Sequence, residues 1–126
     1  MFNKKYDKIE TIIGFNSTIK GEVHVKGTLR TDGLIEGNVK ADWVVVGQKG
    51  RIKGDIHAMG ILVGGSIEGN IEAKESVEIK SKGYICGDIR TQKLVIIEGG
   101  IFDGYSIMKK EEKKVVELQK GQQGPE

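Results

Sequence analysis

Two histidines, one cysteine and several closely spaced glycines are the residues of this chain whose types could do chemistry. His24 and His57 could ligate a metal or pass a proton, and Cys86 could serve as a nucleophile. Gly47 with Gly50, or Gly64 with Gly65, could cradle a phosphate. Each of these readings needs a neighbour, and the sequence does not supply one. No helix start and no Gly-Lys-Ser/Thr follows the glycines, so they read as corners. No histidine accompanies Cys86 to activate it. Acids are plentiful, but none stands apart as a catalytic pair.

The elements that must position these residues are copies of one figure. "IKGEV" at 19, "IEGNV" at 35, "IKGDI" at 52, "IEGNI" at 67 and "ICGDI" at 85 share a central glycine: Gly21, Gly37, Gly54, Gly69 and Gly87, with Gly104 in a degenerate sixth copy, "FDGYS". Successive spacings are 16, 17, 15, 18 and 17 residues. A period this short is too small for a helical hairpin and points to a solenoid. Apolar residues alternate within each copy, as at Ile35, Val39 and Ala41 against Glu36, Asn38 and Lys40, which is the period of a strand. A second alternating stretch follows, such as Val44 and Val46 or Ile61 and Val63.

Short strands with glycine corners make a coil whose backbone groups pair with the next coil about 4.8 Å away. The expected fold is an all-β, single-domain parallel β-helix of about six coils, roughly 30 Å long at that spacing. Stacking also predicts ladders. The residue before each central glycine runs Lys20, Glu36, Lys53, Glu68, Cys86, Asp103, and its first four members alternate in sign. The residue after it runs Glu22, Asn38, Asp55, Asn70, Asp88, with neutral Asn separating the acids. Positions two and four beyond the glycine pair large with small, as Ile56 with Ala58 or Ile71 with Ala73, which predicts a narrow, solid interior. His24 and His57 fall on the outer face two coils apart with Lys40 between them. That is roughly 10 Å, too far to share a metal ion.

A chain of 126 residues, 37% of them hydrophobic, reads as one domain. Nineteen glycines stand against the single Pro125, so glycine makes the breaks. A net charge of +2 gives no electrostatic footprint for nucleic acid. One cysteine excludes an internal disulfide and fits a reducing compartment. No apolar run reaches the ~18 residues of a spanning helix, and "MFNKKYDKIE" lacks the apolar stretch of a signal peptide. The expected location is cytoplasmic.

The sequence divides into a flexible N-terminal tail over residues 1–12, the β-helix over 13–108, and a charged, disordered tail over 109–126. A β-helix leaves strand edges open at both ends, and this chain has little to cap them with. Ile101, Phe102, Tyr105 and Ile107 on the last coil, with Ile13 and Ile19 on the first, form the expected polymerisation interface. End-to-end contact at both ends gives a filament. Trp43, Val45, Leu62 and Val95 fall between inward residues and form a second, lateral or partner face, interrupted by Glu78. Met1 and Phe2 with Lys4 and Lys5 make a short apolar and basic segment suited to an anionic membrane surface.

The phrase "IETIIGFNSTIKGEV", followed by G-x-I-x-G-(D/E/N)-I in successive copies, resembles the bactofilins over roughly residues 9–107. The resemblance implies a right-handed parallel β-helix that polymerises end to end without nucleotide or cofactor. It implies non-polar filaments beneath the bacterial inner membrane, serving as scaffolds for cell-shape and cell-wall (peptidoglycan) enzymes. Membrane-targeting starts are common in that family and match Met1, Phe2, Lys4 and Lys5. Proline-rich tails are also common there, and this chain has only Pro125. Two rival readings remain: a left-handed hexapeptide-repeat acyltransferase, whose strict sixes the 15-to-18 spacing breaks, and a monomeric solenoid that docks a partner.

Overall fold

A computed structural model describes residues 9–108 of the chain. Over that span it is all strand and turn: β1 (Ile9–Ile13), β2 (Thr18–Lys20), β3 (Val23–Thr31), β4 (Leu34–Glu36), β5 (Val39–Val46), β6 (Arg51–Lys53) and β7 (Ile56–Val63). There follow β8 (Ser66–Glu68), β9 (Ile71–Ile79), β10 (Tyr84–Cys86), β11 (Ile89–Thr91), β12 (Lys93–Ile96), β13 (Ile101–Asp103) and β14 (Ser106–Met108). Every pairing is parallel and joins one coil to the next. The short strands build a six-stranded sheet in the order β13-β10-β8-β6-β4-β2, and the long ones an eight-stranded sheet in the order β1-β3-β5-β7-β9-β11-β14 with β12 beside β9. The product is a parallel β-solenoid of about six turns. Its first strand starts at Ile9, inside the segment that the sequence assigns to the tail, because Ile9 to Ile13 pair with Thr28 to Thr31.

Each coil has three sides. The long strands bend partway, where the alternation breaks: Ala41 is buried, Asp42 and Trp43 both face outward, and Val44 is buried again. At the same place the register shifts, with Lys26 and Gly27 lying between pairs that enclose only Asp42 on the next coil. This corner holds one or two residues, and the turn after the third side holds either two, as at Asp32 and Gly33, or four, as over 47–50. Those two variables account for the uneven spacing of the repeat, since the residues on the three sides keep a constant number. Insertions are thus confined to two edges of the rod, and the rungs between them stay in step.

The interior is a set of stacked columns. Ile35, Ile52, Ile67 and Ile85 form one, at most 1% exposed. Val39, Ile56, Ile71 and Ile89 form a second, and Leu29, Val44, Ile61 and Val77 a third. Ala41, Ala58 and Ala73 supply the small column. Identical branched side chains one strand spacing apart pack without voids, and each contributes about 1.5–3 kcal/mol by leaving water.

The central glycines lie in a column of their own at the bend between the first and second sides. Gly54 and Gly69 have φ of 153° and 150°. A Cβ on Gly69 would collide with the carbonyl oxygen of Gly54, and one on Gly54 with that of Gly37. Gly64, in a turn, meets nothing closer than 3.4 Å and keeps an ordinary φ. Gly69→Ala is therefore expected to lower stability by about 3 kcal/mol or more through strain and clash together. Gly64→Ala should stay within about 1 kcal/mol of the parent. Urea midpoints measured side by side check both.

Candidate assembly surfaces

The outer face carries ladders, and they run as stacking requires. Lys20, Glu36, Lys53, Glu68, Cys86 and Asp103 are paired rung by rung in that order. Lys20 Nζ comes within 3.9 Å of Glu36, an exposed contact of small individual worth. The row after the glycines is knitted by hydrogen bonds: the Asp55 N–H donates to Asn38 Oδ1 (3.1 Å), that of Asn70 to Asp55 Oδ1 (3.0 Å) and that of Asp88 to Asn70 Oδ1 (3.3 Å). Tyr105 takes the next place in this row, level with the last coil. Its phenol offers no short carbonyl, so the row ends there.

His24, Lys40 and His57 stand in one outward column. Each histidine faces a glutamate, His24 at 3.5 Å from Glu22 and His57 at 3.7 Å from Glu72. Among the described residues no group of three or more His, Cys, Asp or Glu side chains comes together to hold a metal. Cys86 is half-buried beside Tyr84, and the hydrogen bond between their side chains, with the thiol's charge next, pushes the Tyr84 phenol above its ordinary value near 10.0. Beside the corner runs a shallow groove of about 610 Å³, floored by Val25, Ala41 and Ala58 and flanked by charged side chains.

The C-terminal end of the stack is its most apolar exposed region. Phe102 continues the isoleucine column, directly on Ile85, and is half-buried, with no further coil above it among the described residues. Ile101 (56% exposed), Tyr105 (78%) and Ile107 (49%) point outward around it. Sequence reasoning passed over Ile96 and Met108, which lie on the inward columns above Ile79 and Thr91 and are exposed only because the stack stops. Met108 was legible, since it sits four residues beyond Gly104. Along the third side the last strand is β12, with no strand beyond it among the described residues.

The N-terminal end differs from expectation. Ile19 is half-buried at the open edge strand β2, but Ile13 is only 7% exposed and belongs to the core cluster, so it offers little to a junction. Ile12 and Phe15 are the exposed apolar groups there. Lys49 reaches across the two-residue turn at 32–33 to sit 4.5 Å above the Phe15 ring.

The lateral patch is likewise rearranged. Val45, Leu62, Glu78 and Val95 share one column, while Trp43 belongs to another with Thr28 and Gly60. Val45 is 8% exposed, enclosed between Arg30 and Leu62 on the neighbouring rungs, so it offers little to a partner. Trp43, Leu62 and Val95 are half-buried. Met1, Phe2, Lys4 and Lys5 lie outside the described residues, as does the tail over 109–126. No helix among the described residues is long and apolar enough to cross a membrane.

The family model "Bactofilin: Polymer-forming cytoskeletal" matches residues 11–106. Among solved structures, the chain is similar to bactofilin BacA, determined by solid-state NMR: 30% identity, TM-score 0.74, over 82% of this chain and all of that one. It is also similar to a Thermus thermophilus bactofilin reconstructed by cryo-electron microscopy as double helical filaments, at 26% identity and TM-score 0.69, over 79% of this chain and all of that one. No curated protein sequence matches.

The hydrogen-bonded Asn/Asp row yields a sharp test. Asn70→Asp would set three carboxylates on consecutive rungs, Asp55 and Asp88 on either side. At pH 7 this should destabilise by about 1–2 kcal/mol through like-charge repulsion, and 0.5 M salt should recover most of it. Asn70→Ala loses one acceptor, about 1 kcal/mol, with no salt recovery. Urea titrations at two ionic strengths separate the two.

Proposed function

The chain belongs to the bactofilin family, a family of polymer-forming cytoskeletal proteins, and from that membership we propose that its solenoids join end to end into non-polar filaments lying on the inner face of the bacterial membrane. The observation that carries the reading is the uncovered last coil. Phe102, Ile96 and Met108 lie on inward columns with nothing above them among the described residues, and Ile101, Tyr105 and Ile107 surround them. Burying this face against a second copy removes apolar surface from water and pairs open strand edges. That gain drives assembly without nucleotide. The open first coil, at Ile19 and around Ile12 and Phe15, supplies the second contact that turns a dimer into a filament.

Trp43, Leu62 and Val95 are assigned in the same proposal to contacts along the filament's side. The neighbour that forms double helical filaments supports a lateral association. Met1, Phe2, Lys4 and Lys5 supply membrane attachment, multiplied along the polymer. The filament's role is to hold cell-shape or cell-wall enzymes in place, a structural function with no catalysis of its own.

Negative-stain electron microscopy of the purified chain without nucleotide, beside Phe102→Asp, tests the assembly. The parent should form filaments and the variant should remain short, with a cooperative urea transition showing that it is folded. Filaments from both would move the junction away from the last coil. Compact trimers from the parent would sink the end-to-end reading.

A further inference from the structure

Three lysines line the groove beside the corner, Lys26, Lys40 and Lys74, and none forms an ion pair among the described residues. Two acids line the same groove. Asp42 accepts the Gly27 N–H at 3.0 Å, and Glu72 lies 3.7 Å from His57. Several cations elsewhere on the rod are matched: Arg30 with Asp32 at 3.0 Å, Lys80 with Glu78 at 3.6 Å, and Lys49 over Phe15. With three lysines against those two acids, the corner groove keeps a net charge of +1 on a concave surface.

The chain's ends leave from the same edge. β1 begins at Ile9, level with Thr28 and so just past the corner, while β14 ends at Met108, level with Thr91 and so just before it. The described chain thus begins and ends on one edge of the rod, at opposite ends of it. Residues 1–8 carry Lys4, Lys5 and Lys8 against the single Asp7. The described chain therefore begins on the same edge that carries the groove lysines.

We propose that this corner edge is the face the rod lays on an anionic lipid surface, with headgroup phosphates entering the groove against Lys26, Lys40 and Lys74. The proposal rests on the membrane reading above and fixes which side of the filament faces the bilayer. Lys26 and Lys74 are three coils apart, roughly 15 Å at the strand spacing, so the three ammonium groups meet several headgroups rather than one. Their flexible stems and rotatable donors suit a fluid array of phosphates better than a rigid fork would. The opposite edge, built from the turns at 14–17, 47–50 and 80–83, then points away from the membrane.

The test is co-sedimentation of the full chain with vesicles of phosphatidylglycerol and phosphatidylcholine, and with phosphatidylcholine alone, at about 0.1 M salt. K26Q/K40Q/K74Q is compared with R51Q/K80Q/K82Q, which removes the same charge from the turn edge. The groove variant should bind anionic vesicles on the order of a hundredfold more weakly than the parent, and the turn-edge variant within about threefold. Both should still form filaments by electron microscopy, which shows them folded. If the parent binds anionic vesicles and the groove variant binds equally well, or the turn-edge variant loses as much, the edge assignment is overturned and membrane attachment stands. If the parent binds neither vesicle, the membrane reading fails and this proposal with it.

Discussion

Everything in this fold depends on letting one coil's backbone settle onto the previous coil at a single strand spacing. The tightest place is the bend after the first side, where six central glycines stack and a Cβ on any of the later five would meet the carbonyl below. Because no side chain can intrude there, the short strand before each glycine and the strand after it lie flush on their neighbours, and the isoleucine columns come into register. The outer ladders are consequences of that register. Alternating Lys and Glu, and alternating Asn and Asp, are the arrangements that identical stacking tolerates without like charges in contact.

Much of this was legible because a stack converts position in the repeat directly into position in space. Counting from the central glycine places Ile56 and Ala58 inside, His24 and His57 outside, and Lys20 beside Glu36. Counting failed where an edge breaks the count. Trp43 and Val45 lie two residues apart on β5, so they belong to neighbouring columns, and only Val45 shares one with Leu62 and Val95. Val45 alternates outward and is nonetheless enclosed, because its exposure is set by Arg30 and Leu62 on adjacent rungs, which sequence order does not bring together. Ile13 is near the start of the sequence, yet it is buried within the core cluster.

The candidate assembly surfaces were harder to read for a related reason. A residue at the end of a stack has the same type and phase as one in the middle. Met108 follows the rule that places Ala58 and Thr91 inward, and only the termination of the stack turns it into a surface. The groove lysines gave no signal at all. Lys26 and Lys74 lie at corners of two residues and Lys40 on a side, and their common surface exists only once the coils are wound.

The strands of this rod run across its axis, and that geometry decides how it bears load. Tension along the axis cannot be carried by the covalent chain, which winds around in nearly flat loops. It falls instead on the hydrogen bonds between coils, all of those in one interface pulled together and the interfaces placed in series. Such a body is stiff until one interface yields, and its strength is that of the weakest interface. In a chain of rods joined by side chains and open edges, the weakest interface is the junction, so the polymer would break under strain between its subunits and leave them folded and able to rejoin.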